Sequence, residues 1–168
     1  MMIVLGIDPG LAIVGYGVIS FSGNRELKLI DYGTIQTKAG TPFAERLSQI
    51  ADGMDELIDR FQPDAVAFEE LFFNTNIKTA IQVAQARGVA VLAAYRKLDE
   101  LYEYTPLQVK QAIVGYGRAE KIQVQQMVKT LCNLKTIPKP DDAADAVAIA
   151  ICHAHSAGTH GVLNTKIR

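Results

Sequence analysis

The sequence predicts an α/β fold: a mixed β-sheet covered by α-helices. Three strand-like stretches come first, with a turn between each pair, which describes an antiparallel meander. Strands then alternate with helical stretches, which argues for parallel strands joined through helices. The chain has 168 residues, 49% hydrophobic and 21% charged. That is enough for one domain with a proper core, and it excludes a disordered chain.

Ile3-Val4-Leu5-Gly6-Ile7-Asp8 reads as a buried strand, and Pro9-Gly10 as the turn that follows it. Ile13 to Phe21 is a second strand containing two glycines, Ser22 to Arg25 a hairpin-like turn, and Leu27 to Gln36 a third strand. Thr41-Pro42 reads as a helix N-cap followed by proline at the first helical position. Leu47, Ile50, Met54, Leu57, Ile58 and Phe61 then recur at helical spacing. Ala65 to Phe68 is a short buried strand leading into Glu69. After a loop over 72–76, an alanine- and valine-rich helix runs from Ile77 to Arg96. It is apolar on more than one face, which suits packing on the sheet and on a second subunit. Leu101 to Thr105 is a fifth strand, and a helix starts at Pro106. The loop Gly115 to Arg118 leads to a helix from Ala119 to Cys132, and the last helix runs from Asp141 to about His155. Residues 1–156 are read as one domain, and 157–168, which lack periodicity, as a flexible tail.

No apolar run reaches the ~18 residues of a membrane span, and the first residues show no signal-peptide pattern. Two cysteines, Cys132 and Cys152, are too few for a disulfide framework. They are expected to be reduced and packed, so a cytoplasmic location is expected. Net charge is −1, but it is unevenly spread. Residues 1–73 carry 5 basic and 11 acidic side chains, and residues 74–139 carry 10 and 4. A basic middle third beside an acidic site suits a polyanion drawn across that site. Solvated helix faces are the plain alternative.

The candidate site is a set of carboxylates in costly places. Asp8 and Glu69 each end an apolar strand, and Asp142 and Asp145 lie three apart on one helix face. Ala143, Ala144 and Ala146 are small enough to let that helix approach the sheet. Clustered carboxylates repel one another, and a divalent cation relieves the repulsion. Oxygen-only ligands suit magnesium or manganese rather than zinc. Two such ions, bridged by one carboxylate, are a device for phosphodiester cleavage. Asp8, on a central strand end, is the candidate bridge. Each residue also has an ordinary reading: Asp8 as the start of a turn, Glu69 as half of a surface pair, Asp141 or Asp142 as a helix cap. The combination is more specific than any member.

Several blocks resemble RuvC-type Holliday junction resolvases. They are Leu5-Gly6-Ile7-Asp8-Pro9-Gly10 with Gly15-Tyr16-Gly17, Phe68-Glu69-Glu70-Leu71-Phe72, Gln85-Ala86-Arg87-Gly88-Val89-Ala90, Val109-Lys110-Gln111, Ala119-Glu120-Lys121 and Asp142-Ala143-Ala144-Asp145-Ala146. They keep the same order over residues 2 to 155. The resemblance implies an RNase H-like fold with a five-stranded mixed sheet. It also implies a homodimer that makes paired symmetric nicks in four-way DNA junctions with bound magnesium, two ions per site, for which manganese substitutes. Asp8, Glu69, Asp142 and Asp145 match the family's metal-binding carboxylates. Lys110 and Lys121 match basic residues near the scissile strand, and Phe72 matches an aromatic that stacks at the junction. Phe73, Lys78 and Arg118 are expected to join these DNA contacts. Helix 77–96 resembles the family's dimer helix, and a branch-migration helicase complex of the RuvA and RuvB type is the implied partner. Glu70 stands where glutamine is common, and the stretch 73–78 differs from the usual loop. A junction-binding module without cleavage, and an RNase H-like nuclease acting on another nucleic acid, are the alternatives. A two-domain sugar-kinase-like ATPase would need roughly twice this length.

Overall fold

The structure is a computed structural model, and it describes residues 1–22, 26–71, 77–158 and 166–167. Five strands form one sheet in the order β3-β2-β1-β4-β5. They are β1 Met2–Asp8, β2 Ile13–Phe21, β3 Leu27–Gln36, β4 Ala65–Glu69 and β5 Leu101–Tyr104. The first three form the expected meander, with β1 antiparallel to β2 and β2 antiparallel to β3. β4 lies parallel to β1 on its other side, and β5 lies parallel to β4. The turn expected at 22–25 lies mostly outside the described residues; Ser22 N–H donates to the Glu26 carbonyl across it.

Helices cover both faces because the strands alternate. Leu5, Ile7, Val66 and Phe68 point to one face, where they meet α1 (Phe43–Phe61) and α2 (Ile77–Tyr95) through Ile50, Met54, Ala86 and Ala90. Val4, Ile19, Ala67 and Tyr104 point to the other. There they meet α3 (Pro106–Val114), α4 (Lys121–Leu131) and α5 (Asp141–Gly158). Within α5, Val147 to Cys152 are all buried, so this stretch of the helix is apolar all round and lies inside the domain.

Helix starts differ from the sequence reading in three places. Pro42 is the N-cap of α1 rather than its first residue, because its carbonyl accepts from Arg46 N–H at 3.0 Å. α4 starts at Lys121, not Ala119: Glu120 is its N-cap, and Gln123 accepts from the Glu120 N–H at 2.8 Å. In α5 the Pro140 carbonyl accepts from Ala143 and Ala144, so Asp141 already stands in the first turn and is not the cap. Its carboxylate is 2.8 Å from Lys139 Nζ instead. At the C-terminal end, α5 continues to Gly158, and Lys166 forms an antiparallel bridge with Tyr102 of β5. Ile167 N–H donates to the Leu101 carbonyl at 2.9 Å.

Candidate active site

Register places the first two carboxylates side by side. Ile7 of β1 is opposite Phe68 of β4, so the next residues, Asp8 and Glu69, leave the same edge of the sheet together. α5 crosses β1 and β2 above them, and glycine allows its approach. A Cβ on Gly15 would stand 2.1 Å from the Asp142 carbonyl oxygen, and one on Gly6 would stand 2.1 Å from that of Ala146. Gly15 of β2 and Gly6 of β1 are thus part of the site's geometry. Gly15 is also the β2 partner of Asp8, so one contact holds the first turn of α5 over the β1 end.

Electrostatics show how closely the carboxylates are gathered. Burial, then repulsion from Glu69, Asp145 and Asp142, raises the Asp8 pKa to about 8 against a weaker pull from Lys121. Burial and Asp145 raise that of Glu69 to about 7, opposed by Lys121 and Lys110. Burial also raises Asp145, opposed by Lys121, whose Nζ lies 2.7 Å from its carboxylate. Burial works against the Lys121 ammonium, yet Asp145, Asp141 and Asp8 hold its pKa above the usual lysine value. Among the described residues, no three His, Cys, Asp or Glu side chains stand at metal-holding spacing. The four carboxylates are therefore within reach of one another's charge, not drawn together to coordination distance. Their chemistry fits a hard divalent cation: all donors are oxygen, and the local positive charge does not offset the repulsion at Asp8 and Glu69.

A cavity of about 210 Å³ opens beside them, lined by Glu69, Asp145, Lys110 and Lys121, with Pro106 and Val109 as apolar lining. Arg118 is exposed in the connection between α3 and α4. Phe72 and Phe73 lie outside the described residues, as does the Lys78 side chain. Glu70 is half-buried and donates its N–H to the Tyr104 carbonyl at 2.9 Å. His153 is buried away from this edge with Nδ1 2.8 Å from the Tyr104 hydroxyl, and burial lowers its pKa to about 4. It is held neutral as part of the core.

The sequence matches the family described as crossover junction endodeoxyribonuclease RuvC over residues 4–153. The chain belongs to the RuvC family. It is 61% identical over 165 residues to the crossover junction endodeoxyribonuclease RuvC of Alkaliphilus metalliredigens, covering 98% of this chain and 100% of that one. The RuvC of Alkaliphilus oremlandii is 62% identical over 155 residues, covering 92% and 94%. Among solved structures, T. thermophilus RuvC in complex with Holliday junction substrate superposes with a TM-score of 0.89 at 35% identity, covering 99% of this chain and 100% of that one. The RNase H-like, five-stranded architecture expected from the RuvC resemblance is the one observed. The chain is thus a nuclease of the family that acts in DNA recombination and repair. Arg87 and Gly15 lie within the RuvC-like blocks, and the sequence alone does not show their contacts. An arginine beside the core-facing Ala86 in an alanine-rich helix is the signal that marks the first.

Proposed function

We propose that this chain is a magnesium-dependent Holliday junction resolvase that works as a homodimer in the cytoplasm and nicks two opposed strands symmetrically. The observation that carries the reading is the convergence of Asp8, Glu69, Asp142 and Asp145 at one sheet edge beside Lys110 and Lys121. Asp8, Glu69, Asp142 and Asp145 would hold two magnesium ions, and manganese would substitute. Bound metal supplies an activated water and stabilises the leaving oxygen of the phosphodiester. Asp8 and Glu69 fix the site to the rigid ends of β1 and β4. Asp142 and Asp145 close it from α5. Lys110 and Lys121 would hold the scissile strand against this edge, and Arg118, Lys78, Phe72 and Phe73 would contact the junction.

The exposed face of α2 supports the dimer. Ile81 is 56% exposed, Leu92 50% and Tyr95 61%, and they share one face of the helix with Gly88. A Cβ on Gly88 would meet nothing within 4 Å, so the face is bare at its middle. Self-association there buries the apolar stripe, and a two-fold protein suits a two-fold junction. A RuvA- and RuvB-type helicase complex would deliver the junction. The test is a synthetic four-way junction incubated with the protein and magnesium. Paired nicks on opposed strands are expected; binding without cleavage, or preference for an RNA–DNA hybrid, would overturn the reading.

A further inference from the structure

The guanidinium of Arg87, on α2, reaches the strand end that carries Glu69. Its Nε donates to the Glu69 carbonyl at 3.3 Å, and its Nη2 donates to the Glu103 carboxylate at 2.6 Å. Its Cζ also lies 6.0 Å from the centre of the Phe68 ring. The arginine side chain is only 18% exposed and that of Glu103 30%. Glu103 is the β5 partner of Phe68, so the guanidinium is anchored to the neighbouring strand one register step below Glu69.

This placement matters because the sheet stops here. The Glu70 N–H makes a last bond to the Tyr104 carbonyl at 2.9 Å, and β4 itself ends at Glu69. Beyond that point the direction of the Glu69 side chain depends on what fixes its peptide. We propose that Arg87 is a positioning residue: held by Glu103, it fixes the Glu69 backbone and so aims the Glu69 carboxylate into the metal site. Only arginine does this, because its planar fork donates from Nε and Nη2 to two separate acceptors. A lysine keeps the charge and the partner Glu103 but makes one point contact. Outer partners that orient ligating groups typically contribute 10–100-fold in metal affinity or activity. A contact through the ligand's backbone belongs at the lower end of that range.

The inference rests on the proposed metal-binding role of Glu69, and the experiment separates the two. Manganese binding is measured by calorimetry without DNA, alongside junction cleavage against magnesium concentration, thermal unfolding and junction affinity. The variants are Arg87→Lys, Glu103→Gln, Glu69→Gln and, as a control for loss of an ion pair, Lys97→Gln. Lys97 pairs with Asp59 at 2.5 Å and Asp55 at 3.6 Å, away from the site. Arg87→Lys is expected to weaken manganese binding about 10-fold and to raise the half-saturating magnesium by a similar factor. Glu103→Gln, which removes the charge of the anchor and keeps only a neutral acceptor, is expected to shift both in the same direction by a smaller factor and serves if Arg87→Lys does not fold. Junction affinity is expected to stay within about 2-fold, and Lys97→Gln to leave metal binding unchanged. If Glu69→Gln loses metal binding while Arg87→Lys and Glu103→Gln match the wild type, the positioning role is wrong and the site stands. If Glu69→Gln binds and cuts like the wild type, the site reading itself fails.

Discussion

Lys121 Nζ stands 2.7 Å from the Asp145 carboxylate and 3.9 Å from that of Asp141. The pair ties the first residue of α4 to the first turns of α5, and it sets the only cation bonded to a site carboxylate among the described residues. A lysine at a helix N-terminus is unfavourable for the helix dipole, so its place there is explained by the carboxylates and the cavity rather than by helix stability.

Lys121→Gln tests that placement. Cleavage is expected to fall about 10–100-fold, while junction affinity falls only a few-fold. If Lys121 neutralises a phosphate, the slope of log affinity against log salt decreases by about 1. Single-turnover cleavage and a salt titration of binding measure both.

Gly15→Ala tests the contact between β2 and α5. The added methyl would meet the Asp142 carbonyl at 2.1 Å and its Cβ at 3.1 Å, so the first turn of α5 must shift. A displacement near 1 Å at a reacting centre costs about 100-fold in rate. Overpacking of this kind costs about 1–3 kcal/mol of stability. Cleavage rate and chemical denaturation are the measurements, and a rate near wild type would show that α5 is not held there.

The raised pKa values fix the sign of the pH dependence. Asp8 titrates near 8 and Glu69 near 7 in the folded protein, well above an unfolded carboxylate. The folded state holds their protons longer, so without metal the stability these groups contribute is full below about pH 4 and is lost as pH rises to about 8. Asp8→Asn removes that loss: its metal-free stability relative to wild type is expected to rise by about 1–3 kcal/mol between pH 4 and pH 8. Metal binding must expel the same protons, so manganese affinity of the wild type is expected to rise across pH 6 to 8. Denaturation and calorimetry at several pH values check both signs.

The α2 face predicts assembly. Leu92→Glu places a charge in the middle of the apolar stripe formed with Ile81 and Tyr95. The variant is expected to be monomeric in sedimentation at concentrations where the wild type is dimeric, with an unchanged unfolding midpoint for the monomer fold. It is expected to lose paired nicking.

Much of the fold was legible because local and long-range signals agree. The apolar runs 3–7 and 65–68 are buried strands, and the stripe from Ile50 to Ile58 packs as read. The carboxylates at the strand ends stood out because nothing local explains a charge there. What sequence did not show depends on contacts between distant elements. Gly15 has no task in the sequence until α5 is laid over it, and Arg87 has none until β4 and β5 are placed beside it. Asp141 was read as a cap because its type suits one, but Pro140 supplies the carbonyl and Lys139 takes the carboxylate.

On the proposed reading, the four carboxylates form a metal site that cuts four-way junctions. The most direct measurement compares wild type with Asp8→Asn on one end-labelled junction in magnesium, reading binding and cleavage in the same samples. Paired nicks by the wild type, junction binding by Asp8→Asn within a few-fold and loss of cleavage by that variant are expected. Cleavage by Asp8→Asn at the wild-type rate would contradict it.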